Sequence, residues 1–150
     1  MQTVTTVGLD IAKSVFQVYC VDAAGQVVIR RQLKRRYVLA LFQKVPPCLV
    51  GIEACASSHH WSRELKALGH NVRLIPPAYV KFYVKRQKND AADAEAICEA
   101  VTRANMRFVE TKTLEQQSGM VLHRTRHLCM RQQISVINAI RCVYRKPYPS

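Results

Sequence analysis

Residues 3–33, TVTTVGLDIAKSVFQVYCVDAAGQVVIRRQL, decide the fold. The stretch 3–12 is rich in β-branched and apolar residues, which is typical of a buried strand. The side chains of residues 14–22 alternate between two faces, each able to pack, which predicts a second strand. The Asp22–Gly25 stretch predicts a turn, because glycine tolerates positive φ, and residues 26–33 predict a third strand. The chain is therefore expected to open with a three-stranded antiparallel meander.

The rest of the chain alternates between helical and strand patterns. Strands are predicted over 48–54 and 71–75, and helices over 36–45, 59–68, 77–86, 90–104 and 113–144. The order βββαβαβ followed by helices is that of the ribonuclease-H-like fold, an α/β mixed sheet flanked by helices. The last helix would extend ~45 Å, longer than a small domain is wide. We therefore expect it to pack on a partner helix or a second domain.

Composition indicates a folded, strongly basic protein. The chain has 150 residues, is 49% hydrophobic and carries 23 Lys and Arg against 10 acids, a net charge of +13. No apolar run reaches the ~18 residues of a membrane span, and the N-terminus does not resemble a signal peptide. The sequence thus predicts a cytoplasmic protein with no membrane partner. A polyanion, above all nucleic acid, is the expected ligand.

The basic residues are clustered, and no acid follows Glu115. One cluster alone would suggest only a solvated face, but three clusters in a small chain favour contacts with a nucleic-acid backbone. The candidates for these contacts are Lys13, Arg35, Arg36, Lys81, Lys85, Arg86, Lys88, Arg124, Arg126 and Arg131.

The six cysteines are interpreted as buried thiols in a reducing compartment, because none forms a C-x-x-C pair and most lie in apolar runs. A zinc site built from Cys55, His59 and His60 would lack a second pair of ligands. Trp61 is expected to pack in the core, and the two histidines to be partly exposed at a helix start. Ser57 or Ser58 is expected to cap that helix, and Asn89 or Asp90 the one over 90–104.

Four of the few acids stand at informative places. Asp10 lies inside an apolar strand, where an unpaired carboxylate is costly, and Glu53 ends another. Asp90 and Asp93 are three residues apart and share one helix face. Each also has a structural explanation: Asp10 as the partner of Lys13 or an arginine, Glu53 as a strand end, and the aspartates as a cap and a helix-dipole charge.

In the expected topology the first and fourth strands are neighbours, which would place Asp10 beside Glu53. The helix of Asp90 and Asp93 would cross the same edge of the sheet. Four carboxylates together would repel one another without a cation, and hard oxygen ligands suit Mg²⁺ or Mn²⁺. Two such ions are the usual apparatus of in-line phosphodiester chemistry. The sequence therefore predicts a divalent-metal site on these four residues.

Three stretches carry a family resemblance: VGLDIAKSVFQV (7–18), GIEACASSHHW (51–61) and LIPPAYVKFYVKRQKNDAADAEAICEA (74–100). They resemble the N-terminal RuvC-like domain of the DEDD transposases of the insertion-sequence-110 group, relatives of Piv-type invertases. The resemblance extends over about residues 5–141. It implies a catalytic acidic tetrad on Asp10, Glu53, Asp90 and Asp93. It also implies DNA strand cleavage and joining in transposition, and a structured non-coding RNA that helps to choose the DNA sites.

The pattern of that family is lost after Arg141, where two prolines interrupt the helix. We expect a RuvC-like domain over 1–110, a linker or association helix over 111–144 and an aberrant tail over 145–150, with the family's second domain absent. This predicts a truncated, frameshifted or split chain that forms a homo-oligomer through its long helix. The alternatives are an autonomous nuclease or junction resolvase, and a non-catalytic nucleic-acid-binding regulator of an intact transposase.

Overall fold

The computed structural model of the chain describes residues 3–83 and 90–144, with the backbone alone at Asp90 and Ala91. Contacts divide the chain into two units, Met1–Thr111 and Lys112–Ser150. The first unit contains a mixed sheet with helices, and the second contains one long helix.

Five strands form the sheet of the first unit, in the order β3-β2-β1-β4-β5. They are β1 (Thr6–Ile11), β2 (Val15–Val21), β3 (Val27–Lys34), β4 (Leu49–Glu53) and β5 (Asn71–Ile75). β1 to β3 are joined antiparallel, whereas β4 runs parallel to both β1 and β5. The predicted meander, the mixed sheet and the β1–β4 neighbourhood are confirmed.

The turn between β2 and β3 forms as its sequence predicts. Gly25 has φ 76°, in the left-handed region that glycine tolerates. One carboxylate oxygen of Asp22 accepts hydrogen bonds from the backbone N–H groups of Ala24 and Gln26, each at 2.9 Å. This turn sets the register of the outer strand pair.

The described residues contain five α-helices, four in the first unit and one in the second, and most are shorter than predicted. They are α1 (Val38–Phe42, after a 3₁₀ turn at Arg35–Tyr37), α2 (Ser58–Ala67), α3 (Pro77–Val80), α4 (Asp90–Val101) and α5 (Leu114–Tyr144). Ser57 occupies the N-cap position of α2, as predicted, but its side chain makes no capping hydrogen bond. The Ser58 hydroxyl instead accepts a hydrogen bond from the Cys55 backbone N–H and donates one to the Cys55 carbonyl oxygen. Asn89 lies outside the described residues, as does the Asp90 side chain.

Helix α4 lies directly on the sheet because two strand positions lack a side chain. A Cβ on Gly8 would overlap the carbonyl oxygen of Ala94 and reach the Cys98 nitrogen at 2.7 Å. A Cβ on Gly51 would lie 2.8 Å from the Val101 Cβ. Gly8 and Gly51 are direct partners in the β1–β4 register, so together they form the flat seat of the helix.

The core residues confirm one expectation from the sequence and correct another. Trp61 is buried as predicted, with its ring edge-on to Phe16 at 5.0 Å between centroids. His59 is buried as well, although a partly exposed side chain was expected, because the start of α2 packs inward; His60 remains exposed.

Only half of the cysteines are buried. Burial raises the pKa of Cys20 to about 12 and those of Cys48 and Cys98 to about 11, so these thiols stay protonated at neutral pH. Cys55, Cys129 and Cys142 are exposed, against expectation, because one lies in a loop and two on a helix without buried residues.

The second unit contains α5, a helix of 31 residues with none buried. Its start is fixed by a reciprocal pair that the sequence analysis missed. The Thr113 hydroxyl accepts a hydrogen bond from the Gln116 backbone N–H at 3.2 Å, and the Gln116 side chain accepts one from the Thr113 N–H at 3.0 Å. This is a capping box, which satisfies two backbone donors at the helix start. Within the described residues, no helix is both long and apolar enough to cross a membrane.

Candidate active site

Two of the four predicted acids end neighbouring strands. The parallel register pairs Leu9 of β1 with Ile52 of β4, so Asp10 and Glu53 occupy the next positions of adjacent strands. Side chains alternate between the two faces of a strand, which puts both carboxylates on the face of Gly8 and Gly51. This is the face that α4 covers, so the two acids lie at the edge of the helix seat.

A third acid approaches from α4. Asp93 lies in the first turn of that helix, and the helix reaches the sheet at its next residue, Ala94. Burial raises the pKa of the Glu53 carboxyl above its usual value, and the negative charge of Asp93 raises it further. The Lys81 ammonium acts in the opposite direction and lowers it. Glu53 thus lies within the electrostatic reach of one carboxylate and one ammonium group.

The fourth acid, Asp90, begins α4, but its side chain lies outside the described residues. Within the described part of the chain, no three His, Cys, Asp or Glu side chains come close enough together to hold a metal ion. Cys55, His59 and His60 are all described, so the zinc alternative finds no support. The structure therefore places Asp10 beside Glu53 in the sheet and Asp93 within electrostatic reach of Glu53, but it does not gather the three described carboxylates closely enough to hold a metal ion.

Several predicted basic residues line a groove on the first unit. Lys13 follows β1, whereas Arg35 and Arg36 follow β3, and the Arg35 N–H donates to the Ser14 carbonyl oxygen at 3.1 Å. The groove lining also includes Lys34, which was not among the candidates. Lys13 lies three residues beyond Asp10 along the chain.

The remaining basic candidates are distributed elsewhere. Lys81 lies in the turn after α3, where its charge reaches Glu53. Arg124, Arg126 and Arg131 are exposed on α5. Lys85, Arg86 and Lys88 lie outside the described residues.

Sequence reasoning missed the two glycines that position the acids. Gly8 and Gly51 each stand two residues before an acid, in the patterns G-L-D and G-I-E. A glycine inside a strand is a known sign of a close backbone approach, so this signal was present in the sequence. The two glycines allow α4 to lie low enough for Asp93 to act on Glu53.

The family model and the related sequences point to the same protein family. A family model of the IS110-group DEDD transposases, described as "Transposase", matches residues 7–149. A "Probable family 20 transposase" of Pseudomonas aeruginosa is 54% identical over 90% of this chain and 40% of its own length. The transposase for insertion sequence element IS1328 of Yersinia enterocolitica is 39% identical over 92% of this chain and 41% of its own. The chain thus spans about two fifths of the curated relatives it matches.

The fold has a counterpart among solved structures. T. thermophilus RuvC, solved in complex with a Holliday junction substrate, matches 64% of this chain and 90% of its own with a TM-score of 0.50 and 15% sequence identity. This likeness confirms the RuvC-like, ribonuclease-H-like architecture.

Proposed function

Because the chain belongs to the DEDD transposase family of the IS110 group, we propose that its first unit binds DNA and takes part in strand cleavage and joining during transposition. One observation supports this most: parallel pairing of β1 with β4 places Asp10 beside Glu53, with Asp93 near enough to raise the Glu53 pKa. Carboxylates at one edge of the sheet repel one another, even in a protein with a net charge of +13. A cation bound between them would neutralise that repulsion.

We propose that this cation is Mg²⁺ or Mn²⁺, held by Asp10, Glu53, Asp90 and Asp93. The donor set fits, because it consists of hard oxygen ligands and because Glu53 and Asp93 repel each other without a positive charge between them. Bound there, such ions would activate an attacking oxygen and stabilise the leaving oxygen of a phosphodiester. Lys81 would bind a phosphate oxygen beside Glu53 and keep that carboxylate ionised.

The backbone of the nucleic acid would lie along the basic groove. Lys13, Lys34, Arg35 and Arg36 line it, and arginine forks match phosphate oxygens. The exposed arginines of α5 would add contacts, and the same proposal includes Lys85, Arg86 and Lys88, which lie outside the described residues. The proposed partners are DNA and a structured non-coding RNA, and the proposed location is the cytoplasm.

The long helix is proposed to join two copies of the chain. Its apolar side chains Leu114, Val121, Leu122, Leu128, Val136, Ile140 and Val143 are all exposed. Helices of this length gain most of their stability from packing an apolar face. We keep the division into a RuvC-like domain over 1–110, an association helix over 111–144 and a tail over 145–150 as part of this proposal.

Melting temperature with and without Mg²⁺ or Mn²⁺ tests the metal site. Binding to the native state alone adds ~2.7 kcal/mol at a hundredfold excess over the dissociation constant. Asp10→Asn and Asp93→Asn should each abolish that gain, whereas Glu110→Gln, an acid outside the site, should retain it. A metal response that no site variant alters would contradict the shared site.

An autonomous junction resolvase is the second candidate, since the structural neighbour RuvC was solved on a Holliday junction. The purified chain, incubated with Mg²⁺ and a labelled four-way junction, distinguishes the two. Cleavage that depends on Asp10 favours a self-sufficient nuclease. Binding without cleavage favours a domain that acts within a larger transposase or as its regulator.

A further inference from the structure

An aromatic pocket lies in the first unit, and none of its residues was among the sequence candidates. Its volume is about 230 Å³, smaller than the ~300–1,000 Å³ of a drug-sized ligand site. The turn after α3 and the segment after α4 form its walls. The residues that line it are Tyr79, Phe82, Tyr83, Arg103, Asn105 and Met106.

The composition of the pocket matches the two needs of an unstacked nucleobase. Phe82 is 83% exposed, which leaves a bare aromatic face for stacking, although burial of such a ring is the usual arrangement. The Arg103 guanidinium lies 5.8 Å from the Tyr83 ring centre and pairs with Glu99, so a flat cation is held at the wall. Asn105 adds an amide with both donors and acceptors for a base edge.

The pocket includes the turn that carries Lys81. Lys81 immediately precedes Phe82 in that turn. A strand whose phosphate contacts Lys81 would therefore pass the residue next to Phe82. In duplex DNA the bases are stacked and paired, so only an unpaired nucleotide can enter.

We propose that this pocket binds one unpaired base of a DNA strand whose backbone passes the acidic site. The proposal deepens the proposed function and rests on it, because the backbone contact at Lys81 defines which strand is held. Single-strand binders commonly combine a basic groove with aromatic stacking faces, as here. The pocket would thus select melted or single-stranded DNA at the site of reaction.

Fluorescence titration of a short single-stranded DNA containing 2-aminopurine tests the proposal in the full chain. Wild type should quench the probe and bind it more tightly than the matching duplex. Phe82→Ala should weaken binding of the single strand by about 5- to 150-fold, the range of one lost base–aromatic stack. The salt slope should not change, because stacking releases no counterions. Phe82→Trp should restore both affinity and quenching.

Tyr144→Ala is the matched control, since Tyr144 is 81% exposed and lies in the other unit. It should bind like wild type. Phe82→Ala with unchanged quenching and affinity would overturn the pocket, while wild type that binds no nucleic acid at low salt would overturn the proposed function itself. Phe82-dependent binding of the RNA version alone would overturn DNA as the occupant. A weaker Phe82→Ala variant with a lower melting temperature, not rescued by Trp, would show a structural role instead.

Discussion

The two units of this chain obtain their structure by different means. The unit Met1–Thr111 surrounds a sheet whose central side chains, such as Leu9, Ile52 and Leu74, are fully buried. The unit Lys112–Ser150 contains one helix with no buried residue. Long-range packing fixes the first unit, whereas local signals such as the Thr113 capping box fix the second. Substitutions should therefore act through packing in one unit and through helix propensity in the other.

The largest expected effect is that of Gly8→Ala. The new Cβ would overlap the Ala94 carbonyl oxygen, and backbone cannot move aside as a flexible side chain can. We expect a loss of about 3 kcal/mol in the free energy of unfolding, at the upper end for overpacking. Gly51→Ala should cost less, about 2 kcal/mol, because its new Cβ would approach the Val101 Cβ at 2.8 Å without overlapping a backbone oxygen as at Gly8. Urea unfolding measures both; equal stabilities of Gly8→Ala and wild type would contradict the seat of α4 on β1.

The next effect concerns charge in the first unit and depends on pH. The pKa of Glu53 is raised in the folded state by burial and by Asp93, so folding binds this proton more tightly. Its contribution to stability is full below the unfolded value of about 4.5 and is lost as pH rises through the folded value. Wild type should therefore lose stability relative to Glu53→Gln as pH increases from about 4 to about 7.

Urea unfolding of both proteins across that range, without metal, provides the measurement. The carboxylates that do not interact with Glu53 are common to both proteins and cancel in the difference. Parallel stability curves would show that the pKa of Glu53 is not raised in the folded protein. Mg²⁺ at the high end of the range should reduce the gap if the site holds a cation.

The meander and the β1–β4 pair show how much of the fold can be predicted from the sequence. Alternation and turn chemistry predicted residues 3–33 correctly, because these signals are local. The neighbourhood of Asp10 and Glu53 followed from the strand order. The ends of α1 and α4 did not follow, because tertiary packing decides where a helix ends, and the burial of His59 depends on how α2 meets the sheet.

The site shows the same division between local and distant signals. The acids were selected from sequence because a carboxylate in an apolar strand is unusual. The pocket around Phe82 was missed, because Tyr83 and Arg103 come together only after the chain folds. The Thr113–Gln116 capping box, by contrast, was visible as T-x-x-Q. The four-acid metal site stays a prediction, since the Asp90 side chain lies outside the described residues.

In the second unit, Thr113→Ala should remove the capping box. Loss of a threonine cap costs about 1 kcal/mol, because a backbone N–H loses its acceptor at the start of α5. Circular dichroism at 222 nm should show a shorter helix that melts at a lower temperature. Thr113→Ser keeps the hydroxyl and serves as the control. Equal helix content in the Ala and Ser variants would show that the cap does not hold the helix start.

The smallest effect is a gain in the same helix. Gly119 lies inside α5, and a Cβ there would meet nothing within 4 Å. Glycine in a helix interior is about 1 kcal/mol less favourable than alanine, because it loses more backbone entropy. Gly119→Ala should therefore raise the helix content and melting temperature of α5, the opposite sign to the same change at Gly8. If the helix pairs with a second copy closely at this position, the added methyl group would instead weaken the oligomer. Light scattering beside circular dichroism separates the two results, and a loss of both helix content and association would show that Gly119 is a packing site like Gly8.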